Sequence, residues 1–147
     1  MQAAARIRQV RLLRENALEV IKKEKWTEVG ENIYVFTGEF YLVNMVLVTS
    51  GGDAVLIDTG MDDQESQNVM DFMNEKELKL KNIIITHMHE DHTANLEKFI
   101  TGDIVPITPE NAKKNQIVKI GNKNLRILRG ITSLRGICNH SRTWRSG

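Results

Sequence analysis

The chain has 147 residues, 41% hydrophobic and 27% charged, which suits one compact domain with a core and excludes a wholly disordered chain. Twenty basic residues against 19 acidic ones give a net charge of +1, which favours neither nucleic acid nor a membrane surface as a partner. No apolar run approaches the roughly 20 residues of a membrane-spanning helix. The single cysteine, Cys138, excludes an internal disulfide framework and suits a reducing compartment, so we expect a cytoplasmic protein.

Residues 1–25 predict an N-terminal helix, because they contain good helix formers, no glycine or proline, and apolar side chains three or four positions apart. The first fourteen residues hold four arginines and no acid. That pattern is also typical of a mitochondrial presequence or of a helix on a membrane surface. Glu15 and Glu19 follow at once, so an ordinary surface helix is the main prediction and the presequence is the alternative.

Residues 26–128 show the alternation of a mixed α/β domain, opened by a β-rich stretch at Trp26. Strands are predicted, in chain order, at 33–36, 41–49, 54–57, 83–85, 104–105, 116–120 and 125–128, and helices at 62–75 and 92–99. The first helix begins with acidic residues and turns Val69, Phe72 and Met73 inward. Hairpins come first and strand–helix–strand units follow, which indicates an α/β (α+β) fold with mixed sheets and helices outside them.

Residues 129–147 differ from the rest of the chain in composition and pattern. They contain four arginines, no lysine and no acid, and neither helical nor strand periodicity persists through them. We expect an irregular arginine-rich tail, with a partner-binding basic segment as the alternative.

The densest group of chemically reactive side chains lies in residues 86–92, directly after an apolar strand. Five possible metal ligands, including three of the four histidines, fall within six positions: His87, His89, Glu90, Asp91 and His92. Packing does not account for such a density of imidazole and carboxylate groups. The cluster therefore predicts a metal site at the end of a strand, where ligand sites of α/β folds usually occur.

Spacing assigns these ligands to two groups. Residues i and i+2 of an extended segment have Cα atoms roughly 6.6 Å apart on one side of the chain. Because two nitrogen ligands of a tetrahedral zinc lie roughly 3.3 Å apart, His87 and His89 can converge on one ion. Met88 then faces away and is expected to pack in the core. Asp91 and His92 lie where the chain turns into a helix, so they are expected to diverge toward a second ion; zinc, iron and manganese all suit these donors.

Asp58 occupies a matching place after the strand 55–57, and Thr59 and Gly60 turn the chain there. Metal-bound histidines commonly donate their second N–H to a carboxylate. We predict that Asp58 is such a partner of a ligand histidine. The alternative is an aspartate that only shapes a turn or caps a helix.

The chain resembles the metallo-β-lactamase superfamily. The resemblance rests on His87-x-His89-x-Asp91-His92, on Val55-Leu56-Ile57-Asp58-Thr59-Gly60 before it, and on the early strand 41–48 around Asn44. It implies an αββα sandwich with one or two metal ions that activate water. By this likeness His87 and His89 help to hold the first ion, Asp91 and His92 hold the second, and Asp91 also guides the water proton as a catalytic residue.

The Asp91–His92 pair is similar to that of thioesterase-type and lactonase-type branches, although Ala94–Asn95 stands where two glycines are common. The resemblance thus implies a small ester, thioester or lactone as substrate and Zn as the first choice of cofactor. It covers residues 26–128, with an extra helix at 1–25 and the tail at 129–147.

Three later elements of the family pattern cannot be placed: a histidine in a Thr-Pro-Gly-His turn, a bridging aspartate and a final histidine. No acid follows Glu110, and His140 is the only later histidine. We therefore expect an incomplete sandwich, the first half of the fold, with impaired metal binding. Its unpaired edge favours self-association. A non-enzymatic remnant, or a half-domain completed by a partner chain, is the alternative.

A frameshift near Leu128 is our hypothesis for this departure. Codons for Leu128-Arg129-Gly130-Ile131, read one base earlier, can spell Thr-Pro-Gly-His. Sequencing the encoding DNA tests it, because an alternative frame must then continue the strand pattern with Asp and His.

Overall fold

The computed structural model describes residues 26–39 and 42–128, and the helix predicted for 1–25 and the tail 129–147 lie outside the described residues. The strands are β1 Trp26–Gly30, β2 Ile33–Thr37, β3 Asn44–Ser50, β4 Asp53–Ile57, β5 Lys79–Ile84, β6 Ile117–Ile120 and β7 Lys123–Arg126. The helices are α1 Asp63–Glu75, α2 Glu90–Thr93 and α3 Leu96–Phe99. None of these helices is long and apolar enough to cross a bilayer.

One five-stranded sheet, in the order β1-β2-β3-β4-β5, carries the candidate site. The first four strands are antiparallel neighbours, whereas β5 runs parallel to β4 because α1 returns the chain to the same end of the sheet. Ile57 pairs with Ile84, and the N–H of Asp58 donates to the Ile84 carbonyl at 2.9 Å. The residues that follow β4 and β5 therefore lie side by side at one edge.

The core lies on both faces of this sheet because strand side chains alternate in direction. On one face the buried Leu56 and Ile83 pack with Val69 of α1. On the other face Val55 packs with Val118 of the β6–β7 hairpin. The central strands are consequently apolar on both sides, and the sheet lies between a helix and a second layer of strands.

Helix α1 begins where a capping box satisfies its first N–H groups. The Asp62 carboxylate accepts from the Glu65 N–H at 2.8 Å, and the buried Glu65 carboxylate accepts from the N–H groups of Met61 at 2.7 Å and Asp62 at 3.3 Å. Phe72 and Met73 pack against the core beside Val69. The predicted helix and its inward face are confirmed.

Two predicted elements differ in extent. The strand predicted for 41–49 begins at Asn44, since Leu42 adopts a left-handed φ of 53° that no strand accommodates. The helix predicted for 92–99 is divided into α2 and α3. The break lies at the buried Asn95, whose side-chain N–H groups donate to the carbonyls of Thr59 at 3.1 Å and Asp62 at 2.8 Å. A contact between elements therefore overrides local helix propensity here.

The predicted strand 104–105 is wrong. Pairing with β5 occurs instead at Ile107, through a single parallel bridge to Ile84. The Ile107 N–H donates to the Ile83 carbonyl at 2.8 Å. Alternate residues bond along a parallel strand, and Pro109, two positions on, has no N–H with which to extend the ladder. The other predicted strands are present, with boundaries displaced by up to four residues.

Candidate metal centre

The candidate centre lies at the carboxyl ends of the parallel strands β4 and β5. Residues 58–60 follow β4, and residues 86–92 follow β5 and lead into α2. Both the N–H and the hydroxyl of Thr59 donate to the His92 carbonyl at 2.9 Å. These bonds join the two segments that carry all the predicted site residues.

Asp58 is the buried anchor of the centre, with 4% of its surface exposed. Its Oδ1 accepts from the Thr86 N–H at 2.8 Å, and its Oδ2 accepts from the Thr86 hydroxyl at 2.7 Å and lies 2.8 Å from His92 Nδ1. Its backbone has a left-handed φ of 59°, an uncommon conformation that aspartate tolerates and that concentrates at functional sites. The structure thus places Asp58 in contact with one predicted ligand histidine.

The three histidines of the cluster lie together. The ring centroids of His87 and His89 are 4.6 Å apart, and those of His87 and His92 are 4.0 Å apart. The expected divergence of His92 from the first pair is therefore wrong. Its ring turns back toward His87 because α2 begins at Glu90 and because Asp58 holds its Nδ1.

Asp91 lies beside His92, with Oδ2 3.6 Å from His92 Nε2. Two ligand atoms of a tetrahedral zinc lie roughly 3.3 Å apart, so a small displacement brings this pair to ligand spacing. Both side chains are partly buried, Asp91 with 32% and His92 with 16% of the side chain exposed.

Met88 does not fill the core, contrary to the prediction. Half of its surface, 50%, is exposed. The prediction assumed the alternation of side chains along a strand. However, β5 ends at Ile84, and residues 86–89 form a bend and an extended segment that leads into α2. Met88 therefore adds an apolar surface next to the histidines.

The electrostatics of the cluster favour neutral imidazole at His87. Burial lowers the pKa of His87, and the charges of His92 and His89 lower that pKa further, while Asp58 and Asp91 act in the opposite direction. A neutral imidazole retains the lone pair that a metal ligand needs. The arrangement thus keeps this nitrogen available over a wider range of pH than an isolated histidine does.

The donor set suits a transition metal in kind. Imidazole and carboxylate donors are those that zinc, iron and manganese take, and His92 has the carboxylate partner typical of ligand histidines. Among residues 26–39 and 42–128, however, no three histidine, cysteine or carboxylate side chains already meet the geometry of a metal site. The described part of the chain offers the donors as neighbouring pairs.

Sequence reasoning left two residues of the centre without a role. Thr86, first in the cluster, bonds Asp58 through both its N–H and its hydroxyl. Asn95, noted only as a departure from a glycine pair, holds the loop after β4 through Thr59 and Asp62. The only sequence signal for either is its position: Thr86 follows the strand directly, and Asn95 interrupts a helical pattern.

Comparisons with known proteins give a family match and similar folds. A family model described as metallo-beta-lactamase superfamily matches residues 38–118. Among solved structures, the DIM-1 metallo-beta-lactamase is 27% identical, with a TM-score of 0.50, over 56% of this chain and 40% of that chain. A metallo-beta-lactamase from Pontibacter korlensis is 18% identical, with a TM-score of 0.57, over 69% of this chain and 58% of that chain.

A metallo-beta-lactamase from Hirschia baltica is 12% identical, with a TM-score of 0.52, over 64% of this chain and 55% of that chain. At these low identities the last two structures show a shared fold alone. The chain spans about two-fifths of the DIM-1 chain. A comparison with curated protein sequences gave no significant match. The predicted resemblance and the mixed α/β fold class, as a partial form of that fold, are confirmed.

Proposed function

The chain belongs to the metallo-beta-lactamase superfamily, whose members are in general metal-dependent hydrolases, and we propose that it is a hydrolase of this kind. The observation that carries the proposal is the packed group of His87, His89 and His92 at the carboxyl ends of β4 and β5. The buried carboxylate of Asp58 contacts the Nδ1 of His92 and leaves its Nε2 for a ligand.

On the likeness to the family, and not on any divergence of the side chains, we assign His87 and His89 to one ion and Asp91 and His92 to a neighbouring ion. Zinc is the first choice, with iron or manganese as alternatives. A metal held by these residues would supply an activated water molecule and would polarise the carbonyl of the substrate. The side chains of the chain itself orient a ligand ring and guide a proton. Asp58 fixes the ring of His92, and Asp91, beside His92 Nε2 and partly exposed, is the carboxylate that we assign to guide the water proton.

The proposed substrate is a small ester, thioester or lactone rather than a nucleic acid or a lipid surface. The net charge of +1 provides no strong field for a polyanion. The exposed Met88 lies next to the half-buried imidazoles of His87 and His92, and such a partly apolar surface suits an uncharged acyl group. The single cysteine suits a reducing compartment, so we propose the cytoplasm as the place of action.

We further propose that metal binding by this chain is weak. Catalytic zinc sites use three protein ligands, and the described residues supply neighbouring pairs. A half-domain whose site is completed by a second copy or by a partner chain is therefore the second candidate function. In that case the specific activity rises with protein concentration.

Zinc titration under chelator competition, followed by hydrolysis assays with a generic ester, a thioester and a lactone, tests these proposals. The matched variants are His87→Asn together with His89→Asn, compared with His140→Asn at the fourth histidine of the sequence. Stoichiometric zinc with turnover that only the paired variant abolishes supports the hydrolase. Turnover that increases with the square of protein concentration supports completion by a second copy. Zinc binding and activity that the paired variant leaves unchanged contradict both.

A further inference from the structure

Thr86 connects the buried carboxylate of the centre to a second histidine. Its hydroxyl oxygen lies 2.7 Å from Asp58 Oδ2 and 3.0 Å from His87 Nδ1. The Thr86 N–H also donates to Asp58 Oδ1 at 2.8 Å, so the residue is held by the same carboxylate at two points. The hydroxyl therefore has a fixed position between an oxygen and a ring nitrogen.

Counting protons gives the direction of each bond. A hydroxyl has one proton to donate and two lone pairs with which to accept, and a carboxylate only accepts. The Thr86 proton therefore goes to Asp58, and the Thr86 oxygen accepts a bond from His87. The bonded nitrogen of His87, Nδ1, must then carry the ring proton, which leaves the lone pair on Nε2.

We propose that Thr86 is a positioning residue that sets the Nδ1–H tautomer of His87 by relaying the hydrogen bonding of Asp58. One carboxylate then orients two rings, His92 directly through Nδ1 and His87 through the hydroxyl. Each ring then has its lone pair on Nε2, and the centroids of the two rings are 4.0 Å apart. The value of this tautomer for metal binding rests on the proposed function, whereas the tautomer itself does not.

Long-range ¹H–¹⁵N correlation spectra of the metal-free full chain test the relay, because they distinguish protonated from unprotonated ring nitrogens. The spectra are recorded well above the ordinary histidine pKa, so that the rings are neutral. The variants are Thr86→Val, which removes the hydroxyl at nearly constant shape, and Thr86→Ser, which keeps the hydroxyl and removes the methyl group. Thr37→Val on β2 is the matched control. Zinc affinity by chelator competition is the second readout.

We expect His87 to carry its proton on Nδ1 in the wild type, in Thr86→Ser and in Thr37→Val, and to shift toward Nε2–H in Thr86→Val. Zinc affinity is expected to fall about 10–100-fold in Thr86→Val alone, as for other partners of ligand histidines. A wild-type His87 protonated on Nε2, or a Thr86→Val spectrum identical to the wild type, overturns the inference. A tautomer shift in a protein that binds no zinc supports the relay and refutes the proposed function.

Discussion

Replacement of Asp58 by alanine is expected to cost much of the stability of the fold. The carboxylate is 4% exposed and accepts from the Thr86 N–H, the Thr86 hydroxyl and His92 Nδ1. Hydrogen bonds to a charged group contribute about 1.5–3 kcal/mol each, although the sum is reduced because Thr86 is near solvent and regains water. Alanine at a φ of 59° adds about 1 kcal/mol of backbone strain. The expected loss is about 3–5 kcal/mol out of the roughly 5–15 kcal/mol typical of a domain.

Asp58→Asn tests the hydrogen bonds of the carboxylate separately from the shape of the side chain, which it leaves nearly unchanged. Asparagine tolerates the left-handed backbone and keeps one oxygen for the Thr86 N–H. Its amide group, however, meets the N–H of His92 where the carboxylate accepted. His92 must then move its proton to Nε2, so we expect a loss of only about 1–2 kcal/mol in stability but about 10–100-fold in zinc affinity.

The assay is urea unfolding followed by circular dichroism, with a chelator present so that metal binding does not add to the stability. Asp53→Ala is the matched control, since Asp53 begins β4, the strand that Asp58 follows, and makes a partly exposed ion pair with Lys81 at 3.6 Å. A pair of this kind contributes about 0–1 kcal/mol. If Asp58→Ala costs no more than Asp53→Ala, Asp58 does not anchor the centre and the reasoning is refuted.

Three further outcomes are expected. Gly60→Ala places a Cβ 2.6 Å from the Glu65 carboxylate at a φ of 72°, and we expect it to lower the free energy of unfolding in urea by about 2–3 kcal/mol. Gly51→Ala has open space around its Cβ at a φ of 58°, so we expect a loss of about 1 kcal/mol. Equal losses in the two variants would contradict the packing argument. Asn95→Ala removes the side-chain donor to the Thr59 carbonyl and one of the two donors to the Asp62 carbonyl, which keeps the Ser66 N–H at 3.3 Å. It is expected to cost about 1–3 kcal/mol by the same measurement, and an unchanged midpoint would show that Asn95 does not hold the loop. The folded state lowers the pKa of His87 from 6.5, so the unfolded chain binds more protons than the folded chain near and below that pH. The metal-free wild type is therefore expected to lose stability as the pH falls from neutrality through 6.5. His87→Gln is expected to reduce this loss, and an unchanged pH dependence of stability in that variant would contradict the assignment.

The sequence predicts the frame of the fold because its signals are local. Alternating and continuous apolar runs identify β2, β4 and the end of β5, and the acidic start at Asp62 identifies α1. The dense group of histidines after an apolar run predicts the place of the centre. Errors occur where a distant contact decides, as at Asn95, where hydrogen bonds to the loop after β4 divide a predicted helix.

The sequence by itself determined which residue types are present for a metal centre and that they follow apolar strands. Only the tertiary structure decided how they meet: that His92 turns toward His87, that Met88 is exposed, and that Thr86 lies between Asp58 and a ring nitrogen. The physical reason is that strand patterning depends on neighbours two positions apart. Directional hydrogen bonds from a buried carboxylate to a segment 28 residues later depend on the parallel pairing of β4 with β5, which no local pattern specifies.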